Sequence, residues 1–109
     1  MYIPDKGDIV TLNFDPSAGG EIMKFRPALV ISRKAFNEHT GFAIVAPITS
    51  TLRGTKIEVV LPQELQTQGA VLVYQIKSLD YTDRQVQLIE KAPYDVVEKA
   101  TLLAKTIIN

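Results

Sequence analysis

The hydrophobic positions of this chain change rhythm once. As far as Ile89 they fall in short runs broken by turn-forming residues; beyond Pro93 they recur at helical spacing. In Ile9-Val10-Thr11-Leu12-Asn13-Phe14, opened by Gly7-Asp8, the apolar residues Val10, Leu12 and Phe14 alternate with polar partners, which predicts a strand. Asp15-Pro16-Ser17-Ala18-Gly19-Gly20 breaks that pattern, because proline fixes φ and adjacent glycines favour loop geometry. Pro27-Ala28-Leu29-Val30-Ile31-Ser32 reads as a second strand, apolar enough to be buried on both faces, with Pro27 tolerated only at its start. Phe42 to Ala46 predicts a third strand, stopped by Pro47. Lys56 to Leu61, Ala70 to Ile76 and Gln85 to Ile89 predict three more, and Asn37-Glu38-His39-Thr40-Gly41 reads as a loop.

After Pro93, a residue suited to a helix start, Val96, Val97, Ala100, Leu103, Ala104, Ile107 and Ile108 share one broad helical stripe. Glu98, Lys99 and Lys105 fall on other faces. About six short strands followed by one helix predict a mainly β fold: a small SH3-like curled sheet or barrel closed off by a C-terminal amphipathic α-helix. A chain of 109 residues fits one domain, spanning 1–109. Hydrophobic content of 46% and charged content of 22% are ordinary for a globular chain, so wholesale disorder is not expected.

Charge changes the picture more than composition does. Lys plus Arg and Asp plus Glu each total 12, so the formal net charge is zero and any attraction for nucleic acid has to be gathered locally. Absence of cysteine excludes disulfides, thiolate metal sites and a cysteine nucleophile, and the single histidine, His39, excludes a multi-histidine metal site within one chain. The N-terminal residues lack the basic-then-apolar pattern of a signal peptide, and no apolar run approaches the roughly 18 residues that span a bilayer. The expected location is the cytoplasm, with no metal, cofactor or membrane partner.

Three polar segments adjoin apolar strands. The first runs from Asp15 to Phe25, contains Glu21 and Lys24, and delivers Arg26 to a strand. The second is Pro47-Ile48-Thr49-Ser50-Thr51, with three hydroxyls in succession; the third is Gln75-Ile76-Lys77-Ser78. Each has a purely structural explanation. Arg26 can pair with Glu21, the hydroxyls can bond their own backbone in a turn, and Gln75 and Lys77 can form a solvated face. Together, Lys24, Arg26, Arg53, Lys56 and Lys77 are able to form a basic groove for phosphates, and Phe25 and Tyr74 are either core residues or platforms for unstacked bases.

At these residues the chain resembles the MazF/PemK family of toxin endoribonucleases. The matching motifs are Gly7-Asp8-Ile9-Val10, Phe14-Asp15-Pro16, Gly20-Glu21, Arg26-Pro27-Ala28-Leu29-Val30, Pro47-Ile48-Thr49-Ser50 and Gln75-Ile76-Lys77-Ser78. The resemblance implies a homodimer of SH3-like barrels and metal-independent, sequence-specific cleavage of single-stranded RNA, leaving 2′,3′-cyclic phosphate and 5′-hydroxyl ends. It also implies a cognate antitoxin, which should present an acidic and hydrophobic segment to the RNA groove. It assigns the key arginine to Arg26 and the key threonine to Thr49, with Glu21, Ser50 and Gln75 nearby. Two features depart from the pattern: Gly20 and Phe25 stand where some members carry a first-loop histidine, and Tyr74 stands where many carry an acidic residue.

With no histidine pair, the RNA chemistry open to such residues is attack by the substrate's own 2′-hydroxyl on the adjoining phosphate. Arg26 then stabilises developing phosphoryl charge, Thr49 and Ser50 donate hydroxyl hydrogen bonds, and Glu21 serves either as base or as a brace for Arg26. Phe25, Lys24, Arg53, Lys56, Gln75 and Lys77 are the expected substrate-binding residues. Two other functions suit the same fold: a toxin that binds a protein such as DNA gyrase without cutting, and a plain RNA-binding module.

Overall fold

The computed structural model describes residues 1–14, 25–52, 54 and 57–109. Its strands are β1 (Asp8–Asn13), β2 (Phe25–Val30), β3 (Phe42–Thr49), β4 (Glu58–Val60), β5 (Ala70–Leu72), β6 (Lys77–Asp80) and β7 (Gln87–Lys91). Helix α1 (Lys34–Thr40) lies between β2 and β3, and α2 (Tyr94–Ile108) ends the chain. Short 3-10 turns occupy Val73–Gln75 and Tyr81–Asp83. The strands form one antiparallel seven-stranded sheet in the order β4-β5-β3-β2-β1-β7, with β6 also paired to β3.

Period-two alternation buries both faces of the central strands. Ile9, Leu29, Ala46 and Ile48 point to one face, where they meet Val59, Val71, Val73 and, from α2, Val96, Ala100 and Ala104. Val10, Leu12, Ala28, Val30, Ala43 and Val45 point to the other and pack with Leu79 and Tyr81. Register explains the sorting: Ile9 lies opposite Leu29 and Leu29 opposite Ala46, so cross-strand neighbours share a face. Val96 is the largest fully committed anchor of α2, and burial of a valine contributes about 1.5–3 kcal/mol. The buried stripe of α2 is narrower than the predicted one, since Ile107 and Ile108 are exposed.

Strand β3 changes partner along its length. One edge pairs with β2 from Val45 to Pro47; the other pairs with β6 from Phe42 to Val45 and with β5 at Ile48 and Thr49. Neither proline acts as the sequence pattern predicts. Pro27 is the third residue of β2 and Pro47 the sixth of β3, so neither starts nor stops its strand. Ile44 accepts from the Ile31 N–H and therefore turns its backbone groups towards β2; by alternation the Pro47 nitrogen faces the opposite edge, in the gap between the β6 and β5 ladders. Val30 accepts from the Gly7 N–H and so faces β1, which turns the Pro27 nitrogen towards β3, one residue beyond the last β2–β3 pair. Each missing N–H falls where no strand asks for it.

Two further expectations are corrected. Ala70 to Ile76 is not one strand: β5 ends at Leu72, a 3-10 turn carries Val73 to Gln75, and β6 begins at Lys77. An apolar run does not by itself distinguish a strand from a buried turn. Residues Lys34–Thr40 form a helix rather than a loop, closed by Gly41 in the left-handed conformation. Asn37 is fully buried, with Nδ2 donating to the carbonyls of Pro4 (2.8 Å) and Ser32 (3.2 Å) and its own carbonyl accepting from the Tyr81 hydroxyl (2.9 Å). Those bonds reach residues distant in sequence, which no local pattern reports. The N-terminal segment is tied down likewise: buried Asp8 accepts from the Tyr2 hydroxyl, the Asp5 N–H and Lys91 Nζ (2.7 Å). The hydrogen bond and charge of Asp8 raise the Lys91 pKa.

Candidate active site

A pocket of about 460 Å³ opens where the two prolines interrupt pairing. Strand β2 supplies Arg26 and Pro27, and β3 with the residue after it supplies Pro47, Ile48, Thr49 and Ser50. The facing wall comes from Gln68, on the loop before β5, from Leu72 at the end of β5, and from Gln75 in the 3-10 turn. That turn exists because β5 and β6 pair with different stretches of the same β3 edge, leaving Ala46 and Pro47 unpaired between them. One irregularity in the ladder thus creates the opening and sets Gln75 across it.

Arg26 is the one charged residue among the described residues lining this pocket. Its backbone is held opposite Leu12 on β1, while its side chain is exposed. Among the described residues no carboxylate forms an ion pair with it. Thr49, the last residue of β3, accepts from the Thr51 N–H through Oγ1 at 3.1 Å. The turn role foreseen for these hydroxyls is therefore real for Thr49, and it is compatible with chemistry: the bond occupies an acceptor lone pair and leaves the O–H proton to donate. Ser50 is exposed at the rim. A guanidinium, two hydroxyls and two carboxamides make a surface for an anion with a neutral polar group beside it.

The wall opposite Arg26 is tightly placed. Gly69 has φ +117° and lies so close to β3 that a Cβ there would stand 1.9 Å from the Thr49 carbonyl oxygen. Only glycine permits that approach. Gly69 also accepts from the Leu61 N–H at 2.8 Å. Just before it, the N–H groups of Gln66 (3.1 Å) and Thr67 (2.7 Å) donate to the Glu90 carboxylate on β7. Partial burial works against the charge on Glu90, but the bonds from Thr67 and Gln66 outweigh it and hold its pKa below the ordinary carboxylate value.

Arg26, Thr49, Ser50 and Gln75 are brought together as the sequence suggested. Phe25 and Lys77 are not part of this lining: Phe25 is exposed at the start of β2, and Lys77 Nζ lies 5.8 Å from the centroid of the Phe14 ring. Glu21, Lys24, Arg53 and Lys56 lie outside the described residues, so the expected basic groove is represented by Arg26 and Lys77 alone. Sequence reasoning missed Gln68 and Leu72. The available signal was the polar run Gln66-Thr67-Gln68 ending in Gly69 immediately before an apolar strand, a pattern of a loop delivered to a strand start. His39 is exposed on α1. Among the described residues no group of three His, Cys, Asp or Glu side chains is placed to hold a metal ion.

Comparison with known proteins gives consistent matches over nearly the whole chain. The profile of the PemK-like, MazF-like toxins of type II toxin–antitoxin systems matches residues 5–107. The endoribonuclease toxin ChpB of Escherichia coli K12 is 38% identical over 110 residues, covering 96% of this chain and 94% of that protein. A crystal structure of MazF from Deinococcus radiodurans superposes with a TM-score of 0.89 at 39% identity, covering 99% of this chain and 98% of that one. A MazE–MazF crystal structure from the same organism gives a TM-score of 0.90 at 38% identity, with coverage of 98% and 97%.

Proposed function

The chain belongs to the PemK-like, MazF-like family of type II toxins, and from that premise we propose how its pocket cuts RNA. It is an endoribonuclease toxin of a toxin–antitoxin system. The observation carrying the site assignment is the convergence of Arg26, Thr49, Ser50 and Gln75 on one pocket where the β3 ladder is interrupted.

The substrate is single-stranded RNA, cut at a short sequence. The 2′-oxygen attacks the adjoining phosphorus as the bond from phosphorus to the 5′-oxygen breaks, leaving a 2′,3′-cyclic phosphate. The proton of the 2′-hydroxyl passes to a base, and the departing 5′-oxygen takes up a proton to become a 5′-hydroxyl. Arg26, a permanent donor, stabilises the charge gathering on the phosphoryl oxygens and stands near the departing oxygen. Thr49 donates its O–H to a phosphoryl oxygen, with its own lone pair held by Thr51 N–H; Ser50 assists from the rim. Glu21 is the base in this scheme, or the group that positions Arg26. Phe25 and Lys77 extend the contact beyond the pocket, and Lys24, Arg53 and Lys56 are the further residues assigned to binding the RNA strand. The described lining residues include no carboxylate or imidazole, a donor set suited to catalysis by arginine and hydroxyl groups.

The partner is an antitoxin carrying an acidic and apolar segment, and the working form is a homodimer. Exposure of Leu52, Ile57, Val60, Leu102 and Ile108 supplies apolar surface for both contacts. Among the described residues no helix is long and apolar enough to cross a membrane. The proposed site of action is the cytoplasm, on mRNA. Light scattering of the purified chain tests the dimer: twice the chain mass is expected, and a monomer at micromolar concentration contradicts it. Cleavage of a long RNA in EDTA, with sequencing of cut ends, tests the activity. Intact RNA from folded, antitoxin-free protein points instead to a toxin that binds a protein target.

A further inference from the structure

Gln68 sits in the pocket wall with its amide already committed on one side. Nε2 donates to the Leu65 carbonyl at 2.6 Å and is 3.3 Å from the Gln63 carbonyl, which also accepts from it. Turning the amide over would set Oε1 against both carbonyl oxygens, so the orientation is fixed by repulsion as well as attraction. Among the described residues nothing donates to Oε1. The residue therefore offers a bound molecule an acceptor and withholds its donors.

The support beneath it is rigid. Glu90 fastens the two residues before it through their N–H groups, and the residue after it, Gly69, lies close against the Thr49 carbonyl and accepts from the Leu61 N–H. A neutral acceptor beside Arg26 and Thr49 has no attraction for phosphoryl oxygens, which are acceptors themselves. What it accepts from is a donor carried next to the phosphate. In single-stranded RNA the unstacked bases expose their hydrogen-bonding edges to such groups.

We propose that Gln68 is a specificity-determining residue, whose Oε1 accepts a hydrogen bond from the exocyclic amino group of a base flanking the scissile phosphate. Adenine, cytosine and guanine each carry such a group, whereas uracil projects only acceptor oxygens and keeps its one donor, N3–H, set back between them, so uracil is selected against at that position. The inference rests on the endoribonuclease reading and deepens it. An amide that presented both its groups would read a base edge through a pair of bonds; this one makes a single contact and discriminates by about tenfold.

The test is a series of short RNAs carrying the cleavage motif, each with one base replaced by its analogue lacking the amino group: purine riboside for adenosine, inosine for guanosine, pyrimidin-2-one riboside for cytidine. With wild-type protein, kcat/KM is expected to fall about tenfold for the analogue at one position flanking the cut, and the identity of that base separates the three candidates. In Gln68→Met that penalty is expected to vanish while penalties at other positions persist, the non-additivity that marks a direct contact. Exposure of Gln68 on a loop means the variant folds, and its circular dichroism spectrum checks this. Retention of every penalty in Gln68→Met overturns the inference, as does a flanking motif made of uracil alone or a ribose contact that leaves all bases cut alike. Failure of wild-type protein to cut any RNA overturns the endoribonuclease reading itself, and the inference with it.

Discussion

Arg26 and Thr49 stand on paired strands, whereas Gln68 stands on a loop held by bonds from elsewhere and Gln75 on a local 3-10 turn. The first wall inherits its geometry from the sheet: Arg26 opposite Leu12, Thr49 opposite Ala70. The second depends on the Glu90 carboxylate, the Leu61 N–H and the close approach of Gly69. In the proposed scheme the charge and hydroxyl chemistry, which tolerates little displacement, sits on the ladder, and neutral recognition on the loop. The difference suggests how one fold retains its reaction while altering what it reads.

Breaking the strand wall should have the largest effect. Arg26→Ala or Thr49→Ala is expected to lower kcat by about 10²–10³ with melting temperature nearly unchanged, because both act through donated bonds at a partly exposed pocket. Single-turnover cleavage alongside thermal melting measures both, and wild-type rates in the two variants would remove the strand wall from the chemistry. Gly69→Ala couples the walls. Its Cβ has to displace the Thr49 backbone, and the φ of +117° adds strain, so stability should fall by about 1–3 kcal/mol and kcat should fall with it. A stability loss without a change in kcat would show that the loop does not position Thr49.

Glu90→Gln tests the loop wall alone and should raise KM more than it lowers kcat. Because the folded state holds the Glu90 pKa below its ordinary value of 4.5, the carboxylate stabilises the fold fully above that value. The contribution disappears as pH falls through the lower folded-state pKa. Urea melts should therefore separate wild type from Glu90→Gln by a constant gap at neutral pH that closes in acid; a gap widening in acid would contradict the assignment. The smallest effect is expected from Lys77→Ala, whose ammonium sits by the Phe14 ring outside the pocket, with less than about a threefold change in kcat/KM.

Legibility in the sequence followed the same division. Alternation in β1 and the continuous apolar run of β2 announced strands and their buried faces, since the ladder repeats with a fixed period. Arg26 and Thr49 stood out as polar residues adjoining such strands, and the family resemblance assigned their roles. Helix α1 could not be read: its centre is Asn37, whose partners Pro4 and Tyr81 lie far away in the chain. The break between β5 and β6 was hidden because Val73 and Ile76 continue the apolar run into a turn. Gln68 was invisible for a related reason, as its amide is oriented by its own loop and its position by Glu90 and Gly69. The prolines were legible as interruptions but not as the cause of the pocket, because a strand can run through a proline when only one edge loses a partner.

The central claim is that this pocket cuts RNA through Arg26 and Thr49, and one measurement reaches it directly. Purified, antitoxin-free protein is incubated with a long single-stranded RNA in EDTA, beside Arg26→Ala, and all cut ends are sequenced and their termini identified. Recurrent cuts at one short motif, with cyclic phosphate and 5′-hydroxyl ends that disappear in Arg26→Ala, are the predicted result. RNA left intact by folded wild-type protein, or cut equally well by Arg26→Ala, would contradict it.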